Sequence, residues 1–263
     1  MPKQVPVFAL LGCTKFTESL LLHLIDKHFL PAAIFTIPKK FNISYSKNKV
    51  INSNFSDLSG IAKANSIPIF EVESKAGMRI EDYQKVISEL GIELILVLGW
   101  YYMVPRSVRE SLTYGAWGIH ASLLPKYAGG APLGWAIIKG ETETGITLFR
   151  MDDGVDDGDI IDQMSFEIDF RDTIKDVYLK AESASKLILS NLLNDIGKVK
   201  FTPQNKSEIK VYPQRSPEDG ELDLNNSAKD LYNFIRAQSS PYPGAFIRTV
   251  DGKKLIIETA RIE

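Results

Sequence analysis

The chain is poor in the residues that staple or charge a protein. One cysteine (Cys13) among 263 residues excludes an intrachain disulfide and a cysteine zinc cluster, and makes the cytoplasm the expected location. No metal site is expected. Neither charge is in excess: Lys plus Arg is 31 against 33 for Asp plus Glu, a net charge of −2 with a pI near 6.0. The basic surplus of a dedicated nucleic-acid binder is therefore missing. Long apolar runs are missing as well. Lys3 followed by Val5–Cys13 imitates a secretory signal, but no small-residue cleavage site follows and the amphipathic Phe16–Phe29 comes directly after. The longest other run, Leu94–Val104, has eleven residues, well short of the ~18 or more that a membrane span needs. A soluble protein is expected, with no membrane partner. The sequence contains no internal repeat.

What is present is ordinary globular composition, 44% hydrophobic and 24% charged with 18 Gly and 13 Pro, arranged in alternating segments. Val5–Leu11, Ala32–Thr36, Ile67–Val72 and Ile92–Leu98 are short apolar runs suited to strands buried on both faces. Between them Phe16–His28, Asp57–Asn65 and Ile80–Leu90 repeat apolar residues at helical spacing. That order predicts a parallel sheet with helical crossovers, and a ligand site in the loops at the carboxyl ends of its strands. Pro105–Leu112 and Ala131–Lys139 read as further helices and Gly115–Ile119 as a strand. Gly145–Met151 and Asp159–Ile168 alternate like an antiparallel pair. Asp172–Ile196 reads as one long helix, with Ile174, Val177, Leu187, Leu189 and Leu192 as core candidates. Gly197–Glu208 looks like a linker. After it come a helix at Ala228–Ala237 and a strand pair closing around Asp251-Gly252.

One connection is unusually long. Ile37–Ser56 contains Lys39, Lys40, Lys47 and Lys49 and no acidic residue; loops of this length inside a domain are functional or disordered. A cationic flap over a phosphate-bearing substrate and a solvated loop both fit.

Of the three histidines, His23 and His28 fall on the first helix and read as surface or rim residues. His120 ends a buried strand and opens the Gly-rich turn Ala121–Gly130, a position suited to a general base or acid. The second concentration of chemistry is Asp152–Asp159, with five aspartates in eight residues. A calcium loop starting at Asp153 puts Val155 where the second ligand belongs, so that reading fails. Carboxylates packed this closely repel one another, so at least one is expected to have a specific partner. An Asp oriented on His120 would hold the imidazole and stabilise its protonated form.

In this order and spacing, Gly115–Gly130 (GAWGIHASLLPKYAGG), Ala131–Ala136, Thr144–Thr147 and Met151–Ile160 resemble the core of the N10-formyltetrahydrofolate-dependent formyltransferases. That family includes methionyl-tRNA, glycinamide ribonucleotide and sugar N-formyltransferases. The likeness covers most of residues 5–168. It implies an α/β, Rossmann-like formyltransferase domain with a mostly parallel sheet over residues 1–200, and a small C-terminal α+β region over residues 209–263 that serves dimer contacts. It also implies an enzyme in which a primary amine attacks the formyl carbon of N10-formyltetrahydrofolate. The family's catalytic residues are an Asn-x-His pair and a later Asp. His120 and Asp156 match two of them, and Gly118 stands where the Asn belongs. That Asn amide meets the oxyanion, and losing such a donor costs on the order of 10²–10³ in rate. By position, Tyr101, Tyr102, Met103 and Val104 should meet the pterin of the folate, with Asp152, Asp153, Gly154 and Val155 closing over its other side. Ser122, Lys126, Lys39 and Lys40 are the candidates for the acceptor.

The tail, with Tyr212–Arg215, Pro217–Gly220 and Ser239–Phe246 (SSPYPGAF), looks like the start of the post-catalytic region in the sugar and tRNA enzymes. The tRNA enzymes continue into a longer basic barrel. The chain ends at Glu263 without room for one, and its charge is not basic. A nucleotide-linked amino sugar is therefore the expected acceptor and tRNA is disfavoured. The rival expectations are tRNA formylation, hydrolysis of the formyl folate, and a non-catalytic folate- or sugar-nucleotide-binding homologue suggested by Gly118.

Overall fold

Seven strands form one sheet at the centre of the computed structural model, which describes residues 5–43, 48–73, 78–194 and 196–263. In chain order they are β1 (Phe8–Leu11), β2 (Ala33–Thr36), β3 (Ile69–Glu71), β4 (Leu94–Val97), β5 (Gly115–His120), β6 (Glu143–Arg150) and β7 (Ile160–Glu167). Their spatial order is β7-β6-β5-β4-β1-β2-β3. The first five run parallel, and β6 and β7 extend the sheet as antiparallel strands. The fold is α/β and Rossmann-like, as the alternation of segments leads one to expect, with β1, β3 and β4 each three residues shorter than their apolar runs and β2 one residue shorter.

Because side chains alternate along a strand, the parallel strands feed two cores. Leu10, Ile34, Leu96 and Trp117 face one side with the buried faces of α1 (Lys15–Asp26), α2 (Ser59–Ala64), α5 (Pro132–Ile138) and α6 (Ile174–Asn194). Leu11, Phe35, Val97 and Ala116 face the other, under α3 (Gln84–Glu89) and α4 (Arg106–Glu110). Leu10, Ile34 and Leu96 are fully buried, and each such side chain contributes about 1.5–3 kcal/mol. Trp117 is buried entire, and its indole N–H donates to the Tyr114 carbonyl at 2.8 Å. α1 starts on a reciprocal cap in which Thr14 and Thr17 bond each other's backbone, so β1 turns sharply into its helix. Among the described residues, no helix is long and apolar enough to cross a membrane.

Three segments differ from the sequence expectation. Leu187 lies on the outer face of α6 and is exposed, because the helix turns its buried side to the sheet, α1 and α5. The Ile37–Ser56 connection is anchored rather than loose. Lys40–Phe41 pairs with Val50–Ile51, and Phe41 is fully buried in a cluster with Cys13, Ile37 and Ile43. Lys39 and Lys40 are exposed, and Lys47 lies outside the described residues. The stretch read as a linker is held in place: Thr202 exchanges both backbone hydrogen bonds with Ile160, at 2.8 Å each, and Phe201 packs edge-on against Trp117.

The C-terminal elements close back onto the sheet layer. Val211–Tyr212 pairs with Ala128–Gly129, and the Tyr212 ring packs, tilted, against those of Tyr127 (4.9 Å) and Trp135 (5.5 Å). Gly129 has a φ of +93°, and a Cβ there would collide with the Tyr212 carbonyl, so this approach requires glycine. In α7 (Ala228–Gln238) the buried Arg236 guanidinium donates to the Asp169 and Asp172 carbonyls at 3.2 and 2.9 Å. The chain finishes in the antiparallel hairpin of β8 (Ala245–Arg248) and β9 (Lys254–Ile257).

Candidate active site

His120 is the last residue of β5, in the middle of the sheet, and is 8% exposed. Its ring is held from both ends. Nε2 lies 2.8 Å from the Tyr127 carbonyl oxygen. A carbonyl only accepts, so Nε2 carries a proton and Nδ1 is the nitrogen at which a proton comes and goes. Nδ1 faces Asp156 Oδ2 at 3.4 Å, ion-pair range and slightly beyond an ordinary hydrogen bond.

The turn after His120 is rigid for identifiable reasons. Ser122 is fully buried, and its hydroxyl donates to the Lys126 carbonyl at 2.6 Å. Thr147 on β6 donates to the Ser122 carbonyl (2.7 Å) and accepts from the Leu124 amide (3.0 Å). Ser122 thus holds the turn together, and the acceptor contact expected of it is contradicted by its burial. Lys126, in the same turn, is exposed. The Tyr127 hydroxyl donates to Glu141 at 2.7 Å, and burial with that carboxylate pushes the phenol's pKa up.

Asp156 adopts a φ of +50°, the left-handed region where a non-glycine residue is strained and calls for a functional explanation. That conformation turns its Oδ2 toward the Gly129 amide, which donates to it at 2.8 Å, and toward His120. The other aspartates of the loop have partners elsewhere. Asp153 is bound by Arg106 and Arg109, whose hydrogen bonds hold its carboxyl below the usual carboxylate range. Asp152 lies 3.6 Å from Arg109, Asp157 pairs with Lys206 at 2.9 Å, and Asp159 with Arg150 at 2.6 Å. The mutual repulsion of five carboxylates is offset by four cations, and Asp156 alone turns to the histidine. Among the described residues no group of three His, Cys, Asp or Glu side chains is arranged to hold a metal ion.

A cleft of about 380 Å³, its open mouth included, adjoins Asp156. Met103 and Val104 line it from the loop after β4, Phe149 and Met151 from the end of β6, and Asp152, Gly154 and Val155 from the acidic loop. An apolar recess with a few polar groups at its rim is the form that small-ligand sites take. Of the residues expected to meet a pterin, Met103, Val104, Asp152, Gly154 and Val155 come together here. Asp153 turns to the two arginines. Tyr101 and Tyr102 do not line this cleft: their rings pack on Phe41 at 5.1 and 5.8 Å, and their hydroxyls donate to Asn52 Oδ1 (3.1 Å) and the Asn42 carbonyl (3.0 Å). The buried Phe41 draws them toward the lysine-bearing connection.

Gly118 pairs with Val97 on β4 and with Phe149 on β6, so its backbone is engaged in the sheet. A Cβ at 118 would lie 3.3 Å from the Phe149 ring and 3.7 Å from Met151. The position of the family's Asn is thus walled by an aromatic ring.

Two residues of the site escaped the reading of the sequence. Arg109 on α4 is 11% exposed at its side chain. It donates to the carbonyls of Val104 (3.0 Å) and Met151 (3.1 Å) and binds Asp153, which ties one lip of the cleft to the other. Its spacing from Arg106, opposite an acidic loop in need of cations, was a usable signal. Gln204 donates to the carbonyls of Asp156 and Gly158, and nothing in its sequence context marks it.

This architecture is that of the formyl transferases, and the chain belongs to that family. The formyl transferase domain matches residues 26–193, and the formyl transferase C-terminal domain matches residues 215–263. Over 213 residues the chain is 35% identical to the bifunctional polymyxin resistance protein ArnA of Wigglesworthia glossinidia brevipalpis, a match taking in 79% of this chain and 32% of that protein. It therefore spans about a third of the length of that relative. In fold it is similar to an N-formyltransferase from Helicobacter canadensis in complex with folinic acid and dTDP-3-aminofucose (TM-score 0.66, 22% identity, 88% of this chain and 80% of the other). It is similar also to a 4-N formyltransferase from Francisella tularensis (TM-score 0.72, 18% identity, 98% and 100%).

Proposed function

We propose that this protein transfers a formyl group from N10-formyltetrahydrofolate to the primary amine of a nucleotide-linked amino sugar. The observation that carries the reading is the His120–Asp156 pair placed beside an apolar cleft at the carboxyl end of β5. The cleft fits the folate: Val104, Met151 and Val155 offer apolar walls, and the acidic loop offers polar rim groups. When bound, the folate supplies an activated one-carbon unit on nitrogen. His120 Nδ1 takes a proton from the attacking amine as the new carbon–nitrogen bond forms, and returns it to the departing folate nitrogen. Asp156 stabilises the imidazolium in between, and the Tyr127 carbonyl fixes the ring so that Nδ1 does this work. Lys126, Lys39 and Lys40 are assigned to the acceptor's diphosphate. Residues 1–200 carry the chemistry, and the region from 209 to 263, whose hairpin leaves Leu255 and Ile256 exposed, pairs two copies in the cytoplasm.

The Gly118–Phe149 contact favours a second reading, a folate-binding homologue without transferase activity, because no side chain at 118 meets charge on the formyl oxygen. One coupled assay separates the two. Release of tetrahydrofolate is followed without acceptor, with amino-sugar nucleotides, and with charged tRNA. Release dependent on an amino-sugar nucleotide supports the first reading. Folate binding with no release under any condition supports the second.

A further inference from the structure

We propose that Gln204, on the connector after α6, is a positioning residue for Asp156. The inference rests on the role given to the His120–Asp156 pair above.

The strained backbone of Asp156 is imposed by its surroundings, and Gln204 is the side chain that reaches it. Gln204 is 9% exposed, and its Nε2 donates to the Asp156 carbonyl at 2.8 Å and to the Gly158 carbonyl at 2.7 Å. Both amide protons are thereby occupied, and two peptide groups of the acidic loop are pinned to one point. The loop has little freedom to answer in another way. A Cβ at Gly158 would collide with the Arg150 carbonyl, so the chain passes there at closest approach. The connector is itself fixed on either side of Gln204, by the Thr202–Ile160 backbone pair and by Lys206 on Asp157. With its carbonyl held, Asp156 keeps the φ of +50° that sends its carboxylate to the Gly129 amide and His120 Nδ1. Gln204 is not among the residues lining the cleft, so its influence on the reaction passes through Asp156. A segment that reads as a plain linker thus completes the site.

The test uses the full-length protein with Gln204→Met, which keeps length and removes both donors, and Gln204→Glu as a second variant should the first not fold. Gln204→Met is expected to lower kcat by about 10- to 100-fold, the scale of a misplaced catalytic group, with folate Kd and acceptor KM within about twofold. In an Asp156→Ala background the same substitution should change kcat by less than about twofold, since a residue acting through Asp156 has nothing left to position. The imidazole ¹⁵N resonances of His120, recorded at one fixed pH, provide a readout independent of turnover. Asp156→Asn should shift them by removing the carboxylate that faces Nδ1, and Gln204→Met should shift them in the same direction by a smaller amount. A folded Gln204→Met protein with unmoved His120 resonances overturns the proposal, as does a full additional loss in the Asp156→Ala background. An inert wild type in which Gln204→Met still moves the His120 resonances would instead overturn the formyl-transfer reading and leave the positioning role standing.

Discussion

Gly118 on β5 and Phe149 on β6 stand directly opposite each other, and the ring of one occupies the side on which the other has no side chain. The pairing bears on how this site meets negative charge on a formyl oxygen. Gly118 is paired on both edges of β5, so its own amide belongs to the sheet, and Phe149 walls the position. Placing Asn there forces the ring aside, an overpacking that costs about 1–3 kcal/mol. Gly118→Asn should therefore lower the melting temperature and raise turnover by less than tenfold. Combining it with Phe149→Leu should restore stability. Thermal melts and saturating kcat for both variants check this, and a large rate gain from Gly118→Asn alone would show that the ring yields freely.

His120→Ala should lower turnover by ~10²–10⁴ with little change in folate affinity, since the ring handles a proton and does not line the cleft. The comparison is kcat against folate Kd measured by direct binding. A variant retaining more than about a tenth of wild-type turnover would remove His120 from the mechanism.

The acidic loop makes a sharper prediction, because the partners of its aspartates differ. Asp156→Asn keeps an acceptor for the Gly129 amide but loses the charge facing His120 Nδ1, so turnover should fall while the fold persists. Asp157→Asn disturbs an exposed pair with Lys206, and pairs of that kind are worth ~1 kcal/mol or less. Steady-state kinetics of the two variants should rank Asp156 well above Asp157; the reverse order would mean that the loop moves before reaction.

Much of this site was legible before the fold was known, and the reasons are physical. The strands β1, β2, β4 and β5 are buried on both faces, so their apolar runs stand out, and His120 is conspicuous as a polar residue at the end of one. The family resemblance carried His120 and Asp156, and folding brings them to 3.4 Å. Tertiary contacts were not legible. Tyr101 and Tyr102 sit where a strand end meets a ligand in this fold class, yet the buried Phe41, about sixty residues earlier, claims both rings. Ser122 has the polarity of a binding residue, and only its burial and its hydroxyl's bond to the Lys126 carbonyl reveal a structural role. Gln204 lies in a polar stretch whose composition is that of a linker, because side-chain donors aimed at distant carbonyls leave no periodic pattern.

The Asp153 carboxyl gives a pH dependence with a definite sign. Hydrogen bonds from Arg109 and Arg106 hold its pKa below the usual carboxylate range. A depressed folded-state pKa means the stabilisation is fully present above the unfolded value, near 3.9, and is lost as pH falls through the lower folded value. Asp153 should thus titrate below an ordinary Asp when followed by carboxyl ¹³C NMR, and its midpoint should move up in Arg109→Gln. A midpoint unmoved by that substitution would mean that the arginine does not hold it in solution.

Arg109 is the residue through which the two lips of the cleft are joined, so its loss should read out as folate affinity rather than as chemistry. It donates to carbonyls on both lips, Val104 and Met151, and binds Asp153. It is not among the cleft's lining residues, and His120 and Asp156 have other partners. Arg109→Lys keeps the charge but not the planar fork that serves three acceptors at once. Loss of one charge-assisted hydrogen bond is worth about 1.5–3 kcal/mol, so folate Kd should rise by about tenfold or more in Arg109→Lys, with kcat at saturating folate changed far less. Isothermal titration with folinic acid and kcat at saturation separate the two quantities. Unchanged folate affinity with a collapsed kcat would place Arg109 with the reacting groups and displace the folate from the cleft that it braces.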